Sequence, residues 1–128
     1  MVDTVKTKEQ AIDIAQLIDE NKGIDTIVLY IGDQSSFTDY FIITTVSSNA
    51  HLKGLGREIK SYFSEHGIHP LHKTKNFEDE NWVLIDCGNI VIHLMDREMR
   101  EFYDLERLWY AGSPVYHSSK SSKSNPSS

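Results

Sequence analysis

The sequence predicts an α/β (α+β) fold, a single compact domain in which helices pack on a mixed sheet of about five strands. Helical and strand-like segments alternate along the first half of the chain, two later strand-like segments form a hairpin, and a further helical segment follows. A chain of 128 residues, 39% of them hydrophobic and 25% charged, has the size and composition of one globular domain.

The first three predicted elements are a helix and two strands. Residues 8–22 are predicted to be helical because apolar residues recur there at helical spacing. Thr7 and Gln10 have the spacing of a capping box at its start. Segments 25–31 and 40–46 are rich in β-branched and aromatic residues, which indicates strands.

A second helix is predicted over residues 50–65, where apolar residues again form one stripe. Ser48 or Asn49 is its expected N-cap, and Gly67 is its expected C-terminal end. The segment 68–73 is predicted to be an edge strand, because its proline cannot donate a hydrogen bond to a neighbouring strand.

Segments 82–87 and 90–95 are predicted to be the strands of a tight hairpin, because only two residues separate them. This loop places Leu84 opposite His93, with side chains alternating between the two faces. One face is wholly apolar and is the predicted core side: Val83, Ile85, Cys87, Ile90, Ile92 and Leu94. The other, called the second face, carries Trp82, Leu84, Asp86, Val91, His93 and Met95.

A closing helix is predicted over residues 97–110. Its apolar side chains span an arc of roughly 220°, against about 100° for an ordinary core-facing stripe: Met99, Phe102, Tyr103, Leu105, Leu108, Trp109 and Tyr110. Glu106 falls inside this arc. The helix is therefore expected either to dock deeply into the core or to divide its surface between the core and an interface.

The domain is expected to occupy residues 1–112 and to be followed by a disordered tail over residues 113–128. Serine and lysine dominate the end of the chain, and few apolar residues are present there to offset the entropy lost on ordering.

Charge and cysteine content limit the expected functions. With 13 basic and 19 acidic residues the net charge is −6, which opposes direct nucleic-acid binding and favours a basic protein partner. A single cysteine, no leader-like first segment and no long apolar run predict a cytoplasmic protein without membrane spans.

Three groups of residues suggest chemistry, and each has a structural alternative. Asp86 and His93 are diagonal neighbours across the hairpin, as in a proton-transfer dyad or in a polar pair that only stabilises the sheet. Histidines recur at intervals of three residues, at His66, His69 and His72. They could form a metal site or remain solvated. The segment after the first predicted strand contains glycine, serine and aspartate: Gly32, Ser35, Ser36 and Asp39. This pattern is loosely similar to the phosphate-binding segment of nucleotidyltransferases, or its polar side chains only stabilise a turn.

Three stretches carry a resemblance to a known family: DYFIITTVSSNAH, WVLIDCGNIVIHLM and REFYDLERLWY. In them the chain is similar to the ribosomal silencing factor family, also called RsfS, Iojap or YbeB, over nearly all of residues 8–110. The family pattern falls on Asp39, Ser48, His51, Trp82, Asp86, Gly88, His93, Arg100, Tyr103, Leu105, Glu106, Leu108 and Trp109. Val46 replaces a glycine and Ala50 an arginine, which puts any contact of that arginine in doubt.

The resemblance implies a nucleotidyltransferase-like fold without catalytic residues, and therefore a protein that is not an enzyme and takes no cofactor or metal. It implies binding to the large ribosomal subunit through ribosomal protein fourteen (uL14), which blocks association with the small subunit and represses translation when nutrients are limiting. A third possibility is a homodimer through the same apolar helix, which need not exclude ribosome binding but could compete with it. The alternative is a metal-dependent nucleotidyltransferase-like enzyme that uses Asp39.

The second face and the closing helix together supply the predicted partner-binding residues. Aromatic residues and arginine dominate binding hot spots, and an apolar patch rimmed by acids would complement a basic ribosomal protein. The predicted contact residues are Trp82, Leu84, Asp86, His93, Met95, Arg100, Tyr103, Glu106 and Trp109.

Overall fold

The computed structural model describes residues 4–33, 36, 38–70, 82–103, 107 and 112–118. In chain order the elements are α1 (Thr4–Glu20), β1 (Ile24–Tyr30), β2 (Tyr40–Val46), α2 (Asn49–His66), β3 (Trp82–Asp86), β4 (Ile90–Asp96), α3 (Arg97–Tyr103) and β5 (Ser113–His117). They form one domain with a mixed five-stranded sheet, which confirms the predicted fold class. In this part of the chain no helix is both long and apolar enough to cross a membrane.

The sheet has the strand order β3, β4, β2, β1, β5. The central strands β2 and β4 are parallel, in register from Tyr40 beside Ile90 to Val46 beside Asp96, and the other described pairs are antiparallel. Parallel neighbours need a long crossover connection. Here α2 and β3 lie within that connection.

Helices α1 and α2 cover one face of the sheet, called the first face. Each helix contributes a buried apolar stripe that packs on inward-facing strand residues. The helical members of this core are Ala11, Ile14, Ala15, Ile18, Leu52, Leu55, Ile59 and Phe63. The predicted core side of the hairpin lies in the same cluster, with Cys87 packed against it.

Helix α2 has the predicted caps. The Ser48 hydroxyl accepts the His51 backbone N–H at 3.0 Å. At the other end Gly67 has φ of 66° and donates its N–H to the Phe63 carbonyl. This left-handed conformation suits glycine because other residues carry a Cβ that crowds the backbone.

The His51 ring ties the start of α2 to the end of α1. Its Nδ1 accepts the Ser47 backbone N–H at 3.0 Å, so the ring proton is on Nε2, which donates to the Asn21 carbonyl at 2.9 Å. One imidazole therefore links two helix ends that are 30 residues apart along the chain.

The hairpin has the predicted register. Leu84 pairs with His93 and Ile85 with Ile92, while the Cys87 N–H donates to the Ile90 carbonyl at 2.8 Å. In the turn Gly88 has φ of 95°. The two faces of the hairpin are therefore assigned as the sequence predicts.

The second face is also a core at its centre. Its buried members come from β1, the residue directly after it, β2 and β4, with Phe41 and Met99 packed against them: Ile27, Leu29, Ile31, Ile43 and Met95. His93, 6% exposed, lies on this face, and its ring meets Phe41 edge-on with ring centroids 4.7 Å apart. Burial lowers the pKa of His93 to about 4.

Strand β5 corrects the predicted boundary at residue 112. Residues 113–117 pair antiparallel with β1, and the Ser118 N–H donates to the Thr26 carbonyl at 2.8 Å. The Tyr116 hydroxyl also donates to the Asp19 carboxylate of α1. These contacts order residues 113–118, contrary to the disordered tail predicted from residue 113, while residues 119–128 lie outside the described part.

Three other predicted boundaries concern α1, the segment 68–73 and the closing helix. Helix α1 starts at Thr4, so Thr7 lies inside it and the predicted capping box was wrong. Residues 68–70 form no strand, and residues 71–73 of that predicted strand are not described. The closing helix begins at Arg97 as expected; beyond Tyr103 the structure describes only Arg107 of its predicted second half, and that residue is helical.

Replacing the α2 N-cap should destabilise the fold. Ser48→Ala removes the hydroxyl that satisfies the His51 N–H, so we expect the free energy of unfolding to fall by about 1 kcal/mol. Urea unfolding followed by circular dichroism measures this change. Ser61→Ala, at an exposed position of the same helix, is the matched control and should change stability by much less.

Histidine 93 should make the fold sensitive to acid. Its pKa in the folded chain is about 4, against 6.5 for an exposed histidine, so between these values the unfolded chain binds a proton that the folded chain excludes. Stability should therefore fall as pH decreases from 6.5 to 4, by up to about 3 kcal/mol from this residue.

Unfolding measured at pH 7.5 and pH 4.5 checks this contribution. His93→Leu should show a smaller pH-dependent loss than the unmodified chain, whatever its stability at pH 7.5. The exposed His69 provides the control, since His69→Gln should keep the full loss. Equal pH dependence in His93→Leu and the unmodified chain would contradict the assignment.

Candidate protein-binding surface

The strand registers place the side chains of the second face in rows across the sheet. One row crosses β3, β4, β2 and β1 through Leu84, His93, Ile43 and Ile27. The next row crosses the same strands through Asp86, Val91, Phe41 and Leu29. The predicted residues of the hairpin therefore share one surface with residues of β1 and β2.

Burial divides the predicted contact residues of the hairpin into two groups. The Leu84 side chain is 43% exposed on the terminal strand β3 of the sheet, whereas His93 is 6% and Met95 0% exposed. The prediction that His93 and Met95 contact a partner is corrected here, because the fold covers both of them. They support the surface from the core, and Leu84 lies at its accessible edge.

Arg100 is held within the domain. Its guanidinium Nη1 donates to the Thr45 hydroxyl at 2.9 Å and lies 3.4 Å from the Ile24 carbonyl. The Asp96 carboxylate caps the same helix by accepting the Met99 N–H at 2.8 Å. Together these bonds hold the start of α3 near the ends of β1 and β2, so Arg100 positions the helix.

Asp86 is half-buried and closes the hairpin turn. Its Oδ1 accepts the Gly88 N–H at 2.9 Å, as an aspartate commonly does two residues before a turn backbone amide. Burial keeps the His93 ring neutral at pH 7, so the ring carries no positive charge that an ionised carboxylate would have to balance. The structure therefore gives Asp86 a role in the turn, at the edge of the surface.

Phe41 is a member of the surface that the sequence analysis missed. It is half-buried, lies in the row of Asp86 and touches the His93 ring. The sequence analysis assigned faces only within the hairpin, and Phe41 joins that face through the parallel pairing of β2 with β4. Side chains alternate between the two faces along β2, and Tyr40 lies in the first-face core. This alternation could have assigned Phe41 to the second face.

The remaining predicted contact residues are only partly described. Trp82 is in β3 beside Met95, and Tyr103 ends α3; the description covers the backbone of both and not their side chains. Glu106 and Trp109 lie outside the described residues. Leu84, Asp86 and Arg100 are thus the predicted contact residues that the structure shows at least partly accessible.

Chemistry at the other candidate positions is unremarkable. His66 is exposed and bonds the Tyr62 carbonyl at 2.9 Å, and the described part of the chain holds no group of three or more metal-ligating side chains. His69 is exposed, and His72 lies outside the described residues. The Asp39 backbone N–H donates to the Asn89 carbonyl at 3.1 Å, which ties the residue before β2 to the hairpin turn.

The thiol of Cys87 is not activated. Burial and then the charge of Asp86 raise its pKa to about 12, so the thiol stays protonated at neutral pH and is a poor nucleophile. Cys87 therefore behaves as a packing residue beside the first-face core.

Comparison with known proteins identifies the family. A family model described as "Ribosomal silencing factor during starvation" matches residues 4–128. The ribosomal silencing factor RsfS of Bacillus subtilis is 34% identical over 95 residues, which covers 74% of this chain and 80% of that protein. The mouse protein named "Mitochondrial assembly of ribosomal large subunit protein 1" is 30% identical over 98 residues, which covers 75% of this chain and 43% of the mouse protein.

A solved structure supports the same assignment. The crystal structure of a protein from Chromobacterium violaceum superposes with a TM-score of 0.72 at 28% identity, and the alignment covers 84% of this chain and 90% of that one. The sequence match and the shared fold agree, and the chain belongs to the ribosomal silencing factor family.

Proposed function

We propose that this protein binds the large ribosomal subunit through ribosomal protein fourteen (uL14), blocks association with the small subunit and so represses translation when nutrients are limiting. The observation that carries the proposal is the family match over residues 4–128. The name of the B. subtilis relative refers to ribosomal silencing, and the name of the mouse relative refers to the ribosomal large subunit. The protein acts in the cytoplasm, without catalysis and without a cofactor.

The proposed contact surface is the edge of the second face around Leu84. Exposed large apolar side chains that lie close together are typical of protein interfaces. Leu84 supplies such a side chain, with Asp86 and the half-buried Phe41 on the next row. The proposed contact set also includes four further residues of the family pattern: Trp82, Tyr103, Glu106 and Trp109.

Charge favours a basic partner at this surface. The chain carries a net charge of −6, which accelerates encounter with a basic ribosomal protein and discourages wrong partners. Much of this effect acts over a Debye length of about 8 Å at physiological salt. The apolar contact around Leu84 then supplies the short-range part of the binding free energy.

Steric exclusion needs no enzymatic step. A chain of 128 residues folds to a body roughly 35 Å across, and a specific interface needs only about 800 Å² on each partner. A body of that size on the joining surface of one subunit keeps the other subunit from reaching contact distance. Repression then depends on occupancy of the site alone.

Replacing Leu84 should separate binding from folding. Leu84→Lys places a positive charge at an exposed apolar position that we assign to contact with a basic protein. We expect at least about tenfold weaker binding to large subunits, equivalent to 1.4 kcal/mol or more, with a nearly unchanged thermal melt. Sedimentation of the tagged protein with separated subunits through sucrose gradients measures this loss.

The matched control is Ile24→Lys. Ile24 is the other large apolar residue of the described chain that is markedly exposed, at 38%, and it lies on β1, three strands away from β3. This variant should bind nearly as well as the unmodified chain. Equal losses from the two variants would place the contact elsewhere, and failure of the unmodified chain to sediment with large subunits would overturn the function itself.

A further inference from the structure

Helix α2 carries a stripe of hydrogen-bond donors on its exposed side. At 100° per residue, five exposed residues fall within an arc of about 80° and extend over about 22 Å of the helix: Asn49, Lys53, Arg57, Lys60 and Ser64. We call this set the α2 stripe. The acidic residues of the helix, Glu58 and Glu65, lie about 80° or more away from it around the axis.

The α2 stripe lies on the flank of α2 that is turned away from α1. His51 bonds the Asn21 carbonyl at the end of α1, and the pKa of Tyr62 is raised by burial and by the charge of Asp13 in α1. Both residues lie about 140° or more around the helix from Lys53. Asp13 of α1 therefore lies on the far side of α2 from the stripe.

Charge is distributed unevenly between α2 and the rest of the chain. The helix holds three of the 13 basic residues and two of the 19 acidic ones. Its net charge is thus +1, and the remainder carries −6 − 1 = −7. The expectation that the chain avoids nucleic acid rests on the total charge, which hides this local basic surface.

We propose that the α2 stripe binds the phosphate backbone of RNA. Lysine, arginine, serine and asparagine are the side chains that proteins commonly use to contact phosphates. A single file of such donors, with no acid inside its arc, complements a row of phosphate charges. The α2 stripe belongs to the first-face side of the sheet, whereas Leu84 lies on the second face.

This inference rests on the proposed function, because the large ribosomal subunit contains RNA as well as protein. The α2 stripe and Leu84 belong to different elements, so the two contacts do not compete for the same residues. Contact with phosphates through the α2 stripe would add affinity and orientation to a complex whose partner is chosen by the surface around Leu84. RNA recognition by the stripe is expected to be independent of base sequence, since phosphate contacts carry no sequence information.

The expected size of the effect follows from counterion release. Neutralising about three phosphates gives a slope of roughly −2.1 to −2.7 in a plot of log affinity against log salt. Affinity for RNA should therefore fall roughly 20- to 40-fold between 50 and 200 mM salt.

Fluorescence anisotropy with a labelled RNA hairpin tests this directly, using the full chain. The triple variant Lys53→Gln/Arg57→Gln/Lys60→Gln should bind at least about tenfold more weakly at 50 mM potassium chloride and lose most of the salt dependence. The control Lys6→Gln/Lys8→Gln/Arg97→Gln makes the same change in net charge at exposed positions outside α2. It should stay within about threefold of the unmodified chain, and thermal melts confirm that both variants fold.

Three outcomes would overturn the inference: no binding of the hairpin by the unmodified chain at 50 mM salt, equal losses from both triple variants, or equal competition by polyglutamate, which would assign the stripe to an acidic protein. The probe contains no ribosomal protein. A negative result here, with large-subunit sedimentation intact, therefore removes the RNA contact and leaves the proposed function standing. Loss of sedimentation with intact hairpin binding removes the proposed function instead.

Discussion

The parallel pairing of β2 with β4 determines how the rest of the chain is arranged. The two strands run side by side over seven residue pairs at the centre of the sheet, so the chain must return to the starting end of β2 before β4 can begin. Strand β3, antiparallel to β4, completes this return and turns into β4 through a hairpin, while α2 packs on the first face. Since β4 ends beside the end of β2, α3 starts there, and Arg100 can reach Thr45. The chain must then pass β2 and β1 to reach β5.

One consequence is a sheet with two buried faces. Two helices cover the first face, and the second face has its own cluster with residues that are fully or almost fully buried, such as Leu29 and Met95. Within the second face, the accessible part is therefore its edge, where β3 is the terminal strand. Buried members such as His93 belong to the core of this face, so we expect their replacement to alter stability first.

The sequence predicted the elements whose causes are local. The hairpin register follows from a two-residue loop, and the α2 boundaries follow from Ser48 and Gly67. Strand β5 was not predicted because its five residues include Pro114 and are ordered by pairing with β1, which is far away in sequence. Alternation separated the two faces of the hairpin correctly. It could not show what covers each face, which is why buried His93 was placed among the contact residues.

The difference between buried and exposed residues also changes how the family pattern should be interpreted. Several of its residues have structural roles here: Ser48 caps α2, His51 joins two helix ends, Asp86 closes a turn and Arg100 holds α3. Residues that define a fold recur with the fold, whatever surface makes the contact, so membership of the pattern alone does not identify a contact residue. Exposure supplies the missing criterion. Leu84, which is outside the pattern, satisfies it on the second face, and the cations of the α2 stripe satisfy it on the other side of the sheet. Partner choice can therefore vary among chains of this fold through exposed residues, while the structural residues keep the surfaces in position.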